Sequence, residues 1–164
     1  MLDQTAAEIA RVDAPVALIG SSLGGFVALH AADRDRTGKV NRIILMAPAF
    51  DFGGNRLRQL GEHGIDEWRR RGSLPVFHYA WNEPREVSYR LYEDAAGYDA
   101  FGVTPHVPTL IFQGLHDASV DPATVQAWAL ARPGVSLRLL DDDHQLTASI
   151  ETIWKESAAF ILPE

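Results

Sequence analysis

Three residue types in this chain, far apart in sequence, can together carry out a nucleophilic displacement. They are Ser22, Asp117 and His144. A serine hydroxyl is a poor nucleophile at neutral pH. It needs a base to take its proton, and the base needs an acid to orient it. Ser22 lies in Gly20-Ser21-Ser22-Leu23-Gly24, directly after the apolar run Val16-Ala17-Leu18-Ile19 and before a helical pattern through Phe26, Val27 and Leu29. That is a strand, a sharp turn and a helix with the serine at the apex, the context a G-x-S-x-G turn requires. Gly20 and Gly24 are expected to let the backbone close around Ser22, and the helix N-terminus to point its N–H groups toward developing negative charge. Asp117 follows the apolar run Thr109–Gln113, and His144 follows Val135–Leu139. All three thus stand just beyond the carboxyl end of a strand, where open parallel sheets gather their chemistry.

Other residues compete for these roles less well. Ser21 is a rival nucleophile but occupies a spacer position of the motif. His116 abuts Asp117 on the same short loop, which suits turn-shaping or solvent. His30, His63, His78 and His106 fit no motif and read as packing or surface residues. Asp121 precedes Pro122 and reads as a helix cap. The run Asp141-Asp142-Asp143 invites a divalent ion, yet adjacent carboxylates rarely converge on one ion without ligands from elsewhere, so a solvated turn is the expectation and no metal is assigned.

The elements that must position these residues follow from the apolar pattern. Residues 2–12 read as a helix with Asp3 as its cap. Val16–Ile19 and Arg42–Ala47 are apolar throughout, as parallel strands covered on both faces are. The helix after Ser22 runs to about Asp33. Asp121-Pro122 opens another helix, stopped by Pro133-Gly134. Val135–Leu139 alternates, which places it outermost in the sheet, and a last helix from about Thr147 carries Ile150, Ile153, Trp154 and Phe160 at helical spacing. Between strands two and three the character changes. Gly53-Gly54 breaks the pattern, 65–71 reads as a short helix stopped by Gly72, Leu74–Trp81 as a strand or hairpin arm, and Pro84 as the first position of a further helix. The expected fold is therefore α/β: a parallel sheet of about four strands flanked by helices, one domain over 1–164, with 51–104 inserted as a mainly helical cap. The rings in that span include Trp68, Phe77, Tyr79 and Trp81. They are expected either to pack the cap or to meet an apolar acyl or aryl group.

Composition narrows the partners. With 164 residues, 46% of them hydrophobic, the chain buries a real core. A formal net charge of -7 leaves no basic face for nucleic acid. There are no cysteines, which excludes disulfides. No run approaches a membrane span and the first residues lack a signal-peptide pattern, so the expected location is the cytoplasm.

With those motifs in view, the chain resembles the C-terminal part of an α/β-hydrolase fold protein, similar to the small serine esterases of bacteria. The family's chain order of nucleophile, acid and histidine matches Ser22, Asp117 and His144. Its acid loop matches Gly114, Asp117, Val120 and Pro122. The resemblance implies a serine hydrolase of the carboxylesterase or thioesterase type, acting on a small to medium acyl ester through an acyl-enzyme, with no cofactor. It also implies that the Leu23 N–H binds the oxyanion. The family's second oxyanion donor comes from a His-Gly loop on strands before the elbow, and nothing before Pro15 matches that loop. Loss of one donor costs about 10²–10³ in rate. The expectation is that the chain starts within the helix preceding the elbow strand. That strand's edge is then left open, and either earlier strands or another chain, a second copy included, covers it. The alternatives are a weak or inactive hydrolase-like binding module, and acyl transfer or other chemistry on the same three residues.

Overall fold

The structure, a computed structural model, describes residues 1–78 and 81–162. In chain order the elements are α1 (Leu2–Arg11), β1 (Val16–Ser21), α2 (Leu23–Asp33), β2 (Val40–Met46), α3 (Phe52–Arg71), β3 (Ser73–His78), β4 (Glu83–Ser88), α4 (Tyr89–Ala95), β5 (Thr109–Gly114), α5 (Pro122–Leu130), β6 (Val135–Leu140) and α6 (Ile150–Ile161). The chain divides into two compact units, Met1–Phe50 with Ala100–Glu164, and Asp51–Asp99.

The first unit is built on a parallel sheet in the order β1-β2-β5-β6. Its centre is as apolar as the sequence requires. Ile43, Ile44 and Leu45 of β2 are fully buried, and all six residues of β5 are buried. The alternating strand β6 lies at one edge, as expected from its pattern. β1 lies at the other, its edge open as expected, whereas the expected covering of both its faces is not seen. Its uniform apolarity predicts burial on both faces, yet Ile19 is 56% exposed, because β1 pairs with β2 alone among the described residues. On one side of the sheet Ile44, Ala47, Leu110 and Phe112 pack with Leu146 and Ile153. Each of the Ile, Leu and Phe side chains stabilises the fold by roughly 1.5–3 kcal/mol through burial.

Two helix expectations in this unit need correction. Asp3 does not cap α1; Met1 holds the cap position and Asp3 sits in the first turn. α6 begins at Ile150 rather than Thr147, and of the expected stripe Ile153 and Phe160 meet the core whereas Ile150 and Trp154 do not. Ile153 and Ser157 are buried and Phe160 and Ile161 pack on the core, whereas Ile150 is 59% and Trp154 75% exposed. Positions 153, 157, 160 and 161 form one helical face; Trp154 falls past its edge, and Ile150 lies within it but stands at the exposed first position of the helix. Asp121 does cap α5, accepting from the Ala123 N–H at 3.0 Å.

Trp128 of α5 organises the place where the chain leaves this unit and returns. Its ring stacks on Phe50 with centroids 4.1 Å apart, and its Nε1–H donates to the Ala100 carbonyl at 2.8 Å. Arg132 lies over the same ring and donates to the carbonyls of Phe101 and Val103.

The second unit, expected to be mainly helical, holds the antiparallel hairpin β3–β4 between α3 and α4. Gly53-Gly54 does not break the helix. The Asp51 carboxylate accepts from the Gly54 N–H at 3.0 Å, and this cap starts α3 despite the poor propensity of glycine. The interruption falls later, at Gly61 with φ 66°. Gly72, with φ 77°, ends α3 as expected. Pro84 lies in β4, opposite Phe77, and Ser88 is the cap of the following helix. Ile65, Trp68 and Tyr89 form the core of this unit.

Candidate functional site

The Ser22 turn is set by backbone geometry. Ser22 has φ 52° and ψ -117°, a conformation that L residues rarely adopt and that is stored where the surroundings over-determine it. Those surroundings are specific. The Ser22 N–H donates to the Met46 carbonyl at 2.8 Å, and the Ser22 carbonyl accepts from the N–H groups of Gly25, Phe26 and Ala49. A Cβ on Gly20 would stand 2.2 Å from the Gly24 carbonyl oxygen, so residue 20 must be glycine for the strand and helix to meet. At Gly24 itself a Cβ would meet nothing within 4 Å, so the expected need for glycine at both positions holds only for Gly20. Leu23 opens α2, and as its first residue it has no intrahelical acceptor for its N–H.

Asp117 and His144 are held by side-chain-to-backbone bonds instead. Asp117 Oδ1 accepts from the N–H groups of Ser119 and Val120, each at 2.8 Å. Its Oδ2 accepts from Gln113 Nε2 at 3.0 Å and lies 2.8 Å from His144 Nδ1. Burial pushes the Asp117 carboxyl up, but the bonds from His144, Val120, Gln113 and Ser119 outweigh it and hold the group below its ordinary value of 3.8. Asp142 frames the loop that carries His144. Its carboxylate accepts from the N–H groups of Asp143 and Ser149, each at 2.8 Å. The Asp117 and His144 loops touch closely. A Cβ on Gly114 would lie 2.4 Å from the Asp143 carbonyl oxygen, and His116 N–H donates to the Asp142 carbonyl.

Ser22 and His144, 122 residues apart in sequence, meet. His144 Nε2 lies 3.1 Å from Ser22 Oγ, which completes a hydrogen-bonded chain from hydroxyl through imidazole to a carboxylate whose side chain is fully buried. With Nδ1–H donating to the carboxylate, which can only accept, Nε2 is left as the acceptor for the hydroxyl proton. His116 pairs instead with the exposed Asp141, at 2.7 Å. Asp141, Asp142 and Asp143 face different partners, and the last two cap backbone N–H groups. Of the rings expected to meet a substrate, Trp68 is 1% exposed, packs edge-on against Tyr89 and donates its Nε1–H to the Val87 carbonyl. Phe77 is 47% and Trp81 60% exposed. Tyr79 lies outside the described residues.

Two contributors are not evident from the motifs. Gln113 ends an apolar strand, and its signal is a lone amide in that run, four residues before Asp117. Asp142 sits in an acidic run, and its signal is its place seven residues before Ser149 at a helix start.

A four-stranded parallel sheet carrying a serine on the strand–helix turn, with an acid and a histidine on later loops, defines an α/β-hydrolase type of architecture. A family model described as the alpha/beta hydrolase family matches residues 2–163, and the chain belongs to that family. Among solved structures it is similar to a putative hydrolase from Agrobacterium vitis, at 26% identity and TM-score 0.72, over 89% of this chain and 61% of that one. It is similar as well to the alpha/beta hydrolase domain-containing protein 10 from mouse, at 23% identity and TM-score 0.76, covering 97% of this chain and 66% of that one. Est1E from Butyrivibrio proteoclasticus is 18% identical with TM-score 0.74, over 94% and 64% of the two chains. The latter two are likenesses of fold. The chain spans between three fifths and two thirds of the length of these structures. No curated protein gives a significant match. Among the described residues, no helix is long and apolar enough to cross a membrane.

Proposed function

We propose that the chain carries the catalytic triad of a serine hydrolase that cleaves a small to medium carboxylic ester or thioester. The observation that supports this most is the 3.1 Å approach of His144 Nε2 to Ser22 Oγ with Asp117 behind the ring at 2.8 Å. Ser22 Oγ attacks the acyl carbon as His144 Nε2 takes the hydroxyl proton. The carbonyl oxygen becomes an oxyanion facing the Leu23 N–H and the start of α2. Collapse expels the alcohol or thiol, which leaves with the proton held by His144. Water then repeats the sequence, with His144 as base, and frees the acid and Ser22. Asp117, kept ionised, stabilises the imidazolium formed in each half. Trp68, buried in its own unit's core, packs that unit and is withdrawn from the proposed substrate contacts. The location proposed is the cytoplasm.

A fluorophosphonate probe tests the assignment. The expected outcome is one adduct, on Ser22, absent from Ser22→Ala, together with turnover of p-nitrophenyl esters. A folded chain that takes no label returns the reading of a binding module. Product formed with an added alcohol or amine acceptor in place of water indicates acyl transfer.

A further inference from the structure

Gln113 stands near the end of β5 and is fully buried. Its Nε2 donates to Asp117 Oδ2 at 3.0 Å and to the Gly114 carbonyl at 3.2 Å. Its Oε1 is buried with no hydrogen-bond partner among the described residues. The amide orientation is fixed by chemistry, because the carboxylate accepts only and must face the nitrogen. An unpartnered buried acceptor weakens a fold, and an apolar side chain of the same length would avoid that weakness in a strand already rich in Leu110, Ile111 and Phe112. What the amide supplies is a donor to the one carboxylate oxygen that His144 also uses.

We propose that Gln113 is a positioning residue for the His144–Asp117 pair. Its N–H fixes the rotation of the Asp117 carboxylate, so that Oδ2 stays in line with His144 Nδ1, while Ser119 and Val120 hold Oδ1. This rests on the reading of Ser22, His144 and Asp117 as a catalytic triad. Gln113 touches neither Ser22 nor a reacting atom; it acts through Asp117.

Gln113→Met keeps the length and removes the donor. Three readouts apply: the rate of fluorophosphonate labelling from about pH 5 to about pH 9, the proton NMR resonance of the His144 Nδ1–H (identified by its loss in His144→Ala), and the melting temperature. The expected variant melts near wild type, because removal of the orphan acceptor offsets the lost bond to Asp117. It labels about tenfold more slowly, the effect of one charge-assisted hydrogen bond, and its Nδ1–H resonance broadens through faster exchange with water. Gln113→Glu sharpens the test. While protonated, the new carboxyl donates an O–H to Asp117 and labelling approaches wild type. Once ionised it repels Asp117, so the deficit grows as pH rises, whereas the Gln113→Met deficit is constant. If Gln113→Glu does not fold, Gln113→Met decides alone. Equal labelling and an unchanged resonance in Gln113→Met overturn the proposal, as does a lower melting temperature with labelling reduced only in proportion to the folded fraction. If wild type takes no label, the hydrolase reading fails, while the Nδ1–H resonance still decides the role of Gln113.

Discussion

The two ends of the Ser22–His144–Asp117 chain are held in place by different means. Ser22 is fixed by main chain: a left-handed φ, a donor bond to Met46, three N–H groups on its carbonyl and a glycine contact too tight for a Cβ. Asp117 and His144 ride on loops fixed by carboxylates that cap backbone N–H groups, with Asp117 itself serving as one of the caps. The main-chain end is ionically inert and sterically brittle. The carboxylate end has one tight glycine contact of its own, at Gly114, and depends on charge besides.

That contrast can be broken at either end. Ser22→Ala is expected to abolish labelling altogether while the melting temperature stays near wild type, since the hydroxyl contributes chemistry and the backbone contributes the fold. Asp117→Asn comes next. Four donors converge on the two oxygens of Asp117, two on each, and an amide has one acceptor oxygen, so two donors face an NH₂. Turnover of a p-nitrophenyl ester is expected to fall by about 10³–10⁴, with a loss of about 1–3 kcal/mol in a urea melt. Gly20→Ala drives a methyl group against the Gly24 carbonyl. Stability and labelling should fall together, by about 1–3 kcal/mol and about 10²-fold, measured on the same sample. A variant that loses neither would show that the turn is not held by the main chain.

The smallest effect is in pH. Asp117 titrates below its unfolded value of 3.8 in the folded chain. Its bonds therefore contribute fully above that value and are lost as pH falls through the lower folded value. Urea midpoints for wild type should drop more steeply below about pH 4 than those of Asp117→Asn, which has no such group to protonate. Parallel acid limbs in the two proteins would place the acid sensitivity elsewhere.

The same contrast explains what was legible in the sequence. Main-chain demands leave marks in residue type. The glycine at 20, the continuous apolar runs of β2 and β5 and the alternation of β6 announced the sheet, its outermost strand and the serine turn. Asp121-Pro122 announced the start of α5 just as directly. Side-chain caps leave fainter marks, because one carboxylate outweighs the local propensity of several residues. Asp51 starts α3 over Gly53-Gly54, Ser88 and not Pro84 opens α4, and Asp142 reaches across the His144 loop to Ser149. In α6 Trp154 looks like core by type, while small Ser157 occupies the buried row. Ala47 and Leu146, with φ of 44° and 56°, gave no sign at all, since nothing in their identity asks for a left-handed backbone.

Trp128 has a consequence for how this polypeptide can be remodelled. One indole grips both the outgoing stalk, through Phe50, and the incoming one, through Ala100. Whatever is threaded between those two stalks inherits a ready-made clasp. The two ends of the Asp51–Asp99 stretch are thus anchored by the first unit itself, whatever sequence runs between them.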